Sequence, residues 1–114
     1  MKTGLWLLAM AVIFGAFGAH SLQALVTPER LENWDTAVRY QTWMSLLLIA
    51  IAGSSFQISP WVYRLVVVGL GIFSGSLYLL VLLDLQGLDA ITPIGGVLTI
   101  AGIGTVAITC RKFD

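Results

Sequence analysis

Few side chains in this sequence are able to do chemistry. There is one histidine, His20, and one cysteine, Cys110. The remaining polar candidates within apolar surroundings are Arg39, Tyr40, Gln41, Ser74, Ser76, Tyr78 and Thr92. An imidazole in such surroundings is costly unless partnered, so His20 points either to a proton or ligand contact or to a structural bond. The serines lack a His and an Asp at the spacing a nucleophilic triad needs. One His, one Cys and a few surface acids do not make a three- or four-ligand metal site. No catalytic residue, metal or cofactor is therefore expected, and the chain reads as a non-enzyme. Cys110 stands alone, which rules out an intrachain disulfide. Its neighbours Arg111 and Lys112 would suit S-palmitoylation, although a small apolar residue at a helix end is the plainer reading.

The elements that position these residues follow from composition. The chain has 114 residues, of which 58% are hydrophobic and 11% charged. Soluble domains carry roughly 25% charged residues. So few charges cannot cover a soluble fold, and lipid must cover this one. Net charge is zero and no basic run is present, which argues against nucleic-acid binding. A bilayer core needs about 20 apolar helical residues, and four stretches qualify, at about 3–25, 35–57, 62–83 and 91–110. Runs such as Leu79-Leu80-Val81-Leu82-Leu83 do not alternate as barrel strands do. The expected fold is all-α, a single domain (1–114) forming an integral membrane bundle of four transmembrane helices. The first stretch has the positive start and apolar body of a signal peptide. Its apolar character continues to Val26, which favours a retained span.

Basic residues set the orientation. Lys2, Arg64, Arg111 and Lys112 fall on one side of a four-span chain, against Arg30 and Arg39 on the other. Both termini are expected in the cytoplasm of a bacterial inner membrane. Glu29, Glu32, Asp35, Asp84 and Asp89 lie on the outer side. Trp6 and Trp61 are expected near the cytoplasmic interface and Trp34 near the outer one. Thr27-Pro28-Glu29 is a good helix start, with an N-cap, a proline at the first position and an acid in the first turn. Leu31, Trp34 and Val38 then share one face. This predicts an amphipathic interfacial helix over about 28–34, between the first and second spans. Asp35 and Arg39 sit one turn apart in the favourable order, so Arg39 is expected to snorkel outward and pair there.

Depth is the informative coordinate for the polar residues. His20, Arg39, Tyr40, Gln41, Ser74, Ser76, Tyr78 and Thr92 all fall in the middle or outer part of their spans, and the cytoplasmic half is plain apolar filler. Polar groups in a membrane face the bundle interior and find one another. This outer cluster is either a small pocket or a hydrogen-bond lock. For the serines, Tyr78 and Thr92 the lock is the expectation. Helix packing is assigned to small residues that let backbones approach: Gly15 with Ala19, Gly71 with Gly75, and the Gly95-Gly96 pair.

Four segments together carry a resemblance. They are Gly15-Ala16-Phe17-Gly18-Ala19-His20, Trp34-Asp35-Thr36-Ala37-Val38-Arg39-Tyr40-Gln41, Ser74-Gly75-Ser76-Leu77-Tyr78 and Thr92-Pro93-Ile94-Gly95-Gly96. Their order and spacing resemble domain-of-unknown-function family 423, which includes small bacterial membrane proteins and the vertebrate transmembrane protein 256. The resemblance implies a four-helix membrane protein and no particular activity. It also implies a histidine four residues after the tyrosine of the second span. Here that residue is Met44, which undercuts any mechanism that pairs a second histidine with His20.

The expected function is a structural or accessory subunit of a larger membrane complex, in contact with lipid and with other membrane subunits. A small oligomeric transporter or channel is the alternative, together with lipid, quinone or pigment binding in the outer polar pocket. Proton-coupled antiport in the manner of small multidrug transporters is disfavoured, because no Asp or Glu lies mid-span.

Overall fold

A computed structural model describes residues 1–54, 56–83, 87, 90–109 and 111–112. Asp84, Asp89 and Cys110 lie outside the described residues. Four helices account for most of the chain: α1 (Lys2–His20), α2 (Pro28–Ala52), α3 (Pro60–Leu83) and α4 (Thr92–Thr109). A 3-10 turn, Leu22–Ala24, follows α1. Two short strands, β1 (Phe56–Gln57) and β2 (Arg111–Lys112), pair antiparallel, with Phe56 opposite Lys112 and Gln57 opposite Arg111.

The start of α2 forms as its sequence dictates. The Thr27 side chain accepts a hydrogen bond from Arg30 N at 3.3 Å, with Pro28 in the first turn. The helix then runs without a break to Ala52. Residues 28–34 are thus the first two turns of α2 and not a separate interfacial helix. Trp34 is correspondingly not an interface anchor, since only 2% of its surface is exposed. The face formed by Leu31, Trp34 and Val38 is real, but α1 and α3 cover it.

Main-chain contacts join α1 to α2, α2 to α3 and α3 to α4, and none joins α1 to α4 among the described residues. The result is a thin layer of helices, 52 × 27 × 16 Å. Its core lies near the end away from the termini, where Leu22, Trp34, Leu80 and Val81 are buried together. The Met1 side chain lies beside Gly53, and β2 is paired with β1. Both chain ends and the α2–α3 connection therefore share the other end.

Among the described residues three stretches are long and apolar enough to cross a membrane: Lys2–Ala24, Pro60–Leu83 and Thr92–Thr109. The first and third bury only 17% of their apolar window within the chain. Large side chains such as Ile108 (85% exposed) and Trp6 (71%) point away from the protein. Water would not tolerate this much apolar surface on a monomer, whereas lipid does. The polar first half of α2, which carries five charges from Glu29 to Arg39 along with Gln41, lowers its mean hydropathy and keeps it out of that group.

Candidate functional site

The middle of the layer is tied by side chains that reach main-chain carbonyls of neighbouring helices. Trp34 and Gln41 lie two turns apart on α2, so both emerge from one face. Trp34 Nε1 donates to Phe14 O at 2.8 Å, and Gln41 Nε2 donates to Leu7 O at 2.7 Å. Phe14 and Leu7 are likewise two turns apart on α1, so the bonds form two rungs between antiparallel helices. Gly18 makes room for the upper rung, since a Cβ there would stand 2.7 Å from Trp34 Cδ1.

The same glutamine reaches α3. Tyr78 Oη donates to Gln41 Oε1 at 2.6 Å. One turn earlier on α3, Ser74 Oγ donates to Ala37 O at 3.0 Å. Gln41 and Ser74 are both buried. The Arg30 guanidinium donates to Val81 O, joining the first turn of α2 to the last of α3. Around these bonds Phe14, Phe17, Trp34 and Tyr78 form an aromatic cluster, with Trp34 and Tyr78 centroids 4.7 Å apart and tilted. Such tilted pairs add to the burial of the rings.

The expected outer cluster is thus divided. Gln41, Ser74 and Tyr78 come together between α1, α2 and α3. Ser76 and Thr92 pair separately between α3 and α4, hydroxyl to hydroxyl at 2.5 Å. Tyr40 turns to a different face of α2, where its ring packs on Trp43 and Phe73. His20 and Arg39 are exposed, His20 at the end of α1. Met44, where the resemblance expects a histidine, lines a cleft with Tyr40, Phe73 and Ile100. Among the described residues no three His, Cys, Asp or Glu side chains gather as metal ligands.

Two clefts flank the central helices. One, of about 160 Å3, lies between α2 and α4 over α3. The other, of about 410 Å3, lies between α1 and α3, and Gln41, Ser74 and Tyr78 sit at its base. The remaining lining, such as Leu7, Met10, Leu70 and Leu79, is almost wholly apolar.

The small residues also divide. Gly95 packs against the Phe73 main chain, and Gly15 and Gly96 would bring a Cβ to 3.4 Å from Val38 and Phe73. Ala19 is exposed. Gly71 and Gly75, expected to pack within the bundle, have open space around them. Gly69 and Gly102, also among the small residues of the third and fourth spans, do pack closely: a Cβ would lie 2.6 Å from Thr99 N and from Val66 Cγ2 respectively. A prediction follows from the contrast. Gly71→Ala and Gly75→Ala should each leave stability unchanged or raise it by up to about 1 kcal/mol, since the methyl meets open space and alanine is the better helix former. Denaturation in mixed detergent micelles measures this, and a loss above about 1 kcal/mol would show that the positions are packed after all.

These features define a helical membrane protein whose polar side chains serve as ties between helices. Comparison with known proteins gives its family. The family model described as "Protein of unknown function (DUF423)" matches residues 14–96, and the chain belongs to that family. A UPF0382 membrane protein of Staphylococcus aureus is 43% identical over 107 residues, covering 91% of this chain and 88% of that protein. A UPF0382 membrane protein of Staphylococcus saprophyticus is 45% identical over 96 residues, covering 82% and 80%. No solved structure matches the chain.

Proposed function

We propose that this protein is a non-catalytic accessory subunit that packs against other proteins in a bacterial cytoplasmic membrane. The observation that carries this reading is how its buried polar groups are used. The buried polar side chains, Gln41, Ser45, Ser74, Ser76 and Thr99, all have hydrogen-bond partners within the chain. Ser45 and Thr99 bond to carbonyls of their own helices, whereas Gln41, Ser74 and Ser76 reach a neighbouring helix. In lipid, the bonds that cross between helices hold them together where the hydrophobic effect does not. A thin layer with two open apolar clefts then offers both faces to neighbouring helices.

In this reading α2 is the second of four spans. Its charged outer turns stay at membrane level because Arg30, Trp34 and Gln41 bind it to α1 and α3. Lys2, Arg64, Arg111 and Lys112 lie toward the end that holds the termini and the start of α3, which favours the cytoplasm for that end. Gentle extraction from the source membrane followed by native mass spectrometry tests the role. Recovery in a stoichiometric complex is expected, and recovery only as a lone monomer overturns it. A second reading rests on the 410 Å3 cleft. A lipid chain or quinone would fit its apolar walls, and a bound small molecule in the native mass of the monomer would favour that reading.

A further inference from the structure

One face of α2 is left uncovered by the fold. Glu32, Asp35, Arg39, Trp43, Leu46 and Ala50 follow one another at helical spacing, and all are exposed. They lie on the side of the helix opposite Trp34, Gln41 and Leu48, which are buried. The stripe joins charged outer turns to an apolar inner half. Arg39 does not form the ion pair with Asp35 expected from their spacing, and neither has an ion-pair partner among the described residues. Trp43 packs its ring on Tyr40, but its Nε1 has no hydrogen-bond partner among the described residues.

Depth makes this arrangement costly in lipid. Tyr40 packs on Phe73 with ring centroids 5.0 Å apart, and Ser74 bonds to Ala37 O, so Arg39 is level with the middle of α3. Phe73 lies ten residues before the end of α3, about 15 Å of helix. An arginine on a helix leans toward the N-terminus and covers the preceding turn, roughly 5 Å. Snorkelling therefore carries the guanidinium to the level of Asp35 and leaves it about 10 Å short of the outer end of the span. Ionisable groups at such depth pair with one another or face a protein interior. Lipid chains offer neither a counter-charge to Arg39 nor an acceptor to the Trp43 indole.

We propose that this face of α2 is covered by the same face of a second copy, in a two-fold dimer whose axis runs along the membrane normal. The stripe is complementary to itself. In such a dimer the two α2 helices keep equal depth, and one patch meets its own equivalent. Arg39 leans outward to the level of the second copy's Asp35, and the two-fold repeats the pair. Each cation then meets a carboxylate away from lipid, while Trp43, Leu46 and Ala50 pack below. A partner helix carrying one sign of charge would match only Arg39 or only Asp35. The proposal rests on the reading of α2 as a span and does not need the accessory role.

The test is charge complementation between two full-length copies with different tags, co-expressed, extracted in mild detergent, captured through one tag and quantified through the other. Wild-type copies should capture each other. Arg39→Asp sets carboxylates against carboxylates, and Asp35→Arg sets cations against cations. Either variant should therefore capture itself at least about tenfold less than the wild type does. Arg39→Asp paired with Asp35→Arg restores opposite charges at both contacts and should return close to the wild-type yield. That recovery also shows that each variant folds. Arg39→Lys, which keeps the charge, should retain most of the capture. No capture between wild-type copies overturns the proposal, as does self-capture that neither charge reversal weakens. A mixed pair no better than either variant alone overturns it too. Other subunits recovered with a single copy of this chain would support the accessory role and overturn the dimer, and a dimer recovered without them would do the reverse.

Discussion

Trp34→Ala should cost the protein about 3 kcal/mol of stability, near the lower end of the range for deleting a buried tryptophan. The lower end applies because lipid, not water, surrounds the helices, so the transfer gain is smaller. What is lost is packing and one bond. The indole touches Phe14, Phe17 and Tyr78 with centroids 4.7 to 5.9 Å away, and donates to Phe14 O. Removing it empties the junction of α1, α2 and α3 in one step. Trp34→Phe keeps a ring in place and loses the bond, so its cost should be nearer about 1 kcal/mol. Denaturation in mixed micelles measures both, with Trp61→Ala as the exposed control. If Trp34→Ala costs no more than Trp61→Ala, Trp34 is an interfacial anchor and the junction is not the core.

That contrast shows what was legible in the sequence. The face of Leu31, Trp34 and Val38 followed from helical spacing alone. Which surface covers the face did not, because periodicity fixes a direction around one helix and says nothing of its neighbour. The helix start at Thr27-Pro28-Glu29 and the one-sided apolar face made the segment read as a separate element at the bilayer surface. Its charged neighbours Glu29, Glu32, Asp35 and Arg39 are exposed in the continuous helix, so they never opposed burial of the other face. The ends of α3 and α4, by contrast, were legible to within about two residues, because hydropathy and proline positions set them.

The polar cluster shows the same limit. Depth along a span is one coordinate, and a site needs two. Tyr40 and Gln41 are neighbours at equal depth, yet about 100° apart around the helix. Gln41 therefore joins Leu7 and Tyr78, while Tyr40 joins Phe73 and the cleft with Met44. A list of polar residues at similar depth breaks into several unconnected groups once faces are assigned. The heptad spacing of Trp34, Gln41 and Leu48, all buried, was the available signal for the side of α2 that meets α1. Carbonyl acceptors such as Leu7 O leave no trace in side-chain identity, so the rungs between α1 and α2 needed coordinates.

Gly95→Val should be the most disruptive single change in the α3–α4 pair, costing about 3 kcal/mol or more, at the upper end for overpacking. The reason is what a side chain there would meet. A Cβ on Gly95 would run into the main-chain N and Cα of Phe73, with the Gly69 carbonyl oxygen at 2.9 Å. Backbone atoms inside a helix cannot rotate away as a side chain does. The helices must separate, and separation breaks the rest of a seam in which Gly69 meets Thr99, Gly102 meets Val66, and Ser76 meets Thr92. These contacts step along α3 and α4 in opposite directions, so relief at one level misaligns the others. Gly75→Val is the matched control, on the same pair of helices but with nothing within 4 Å of its Cβ. It should cost little or nothing, since the side chain meets open space and valine is a better helix former than glycine. Paired denaturation curves decide the matter. Equal losses for the two variants would mean that α3 and α4 are held by something other than this glycine seam.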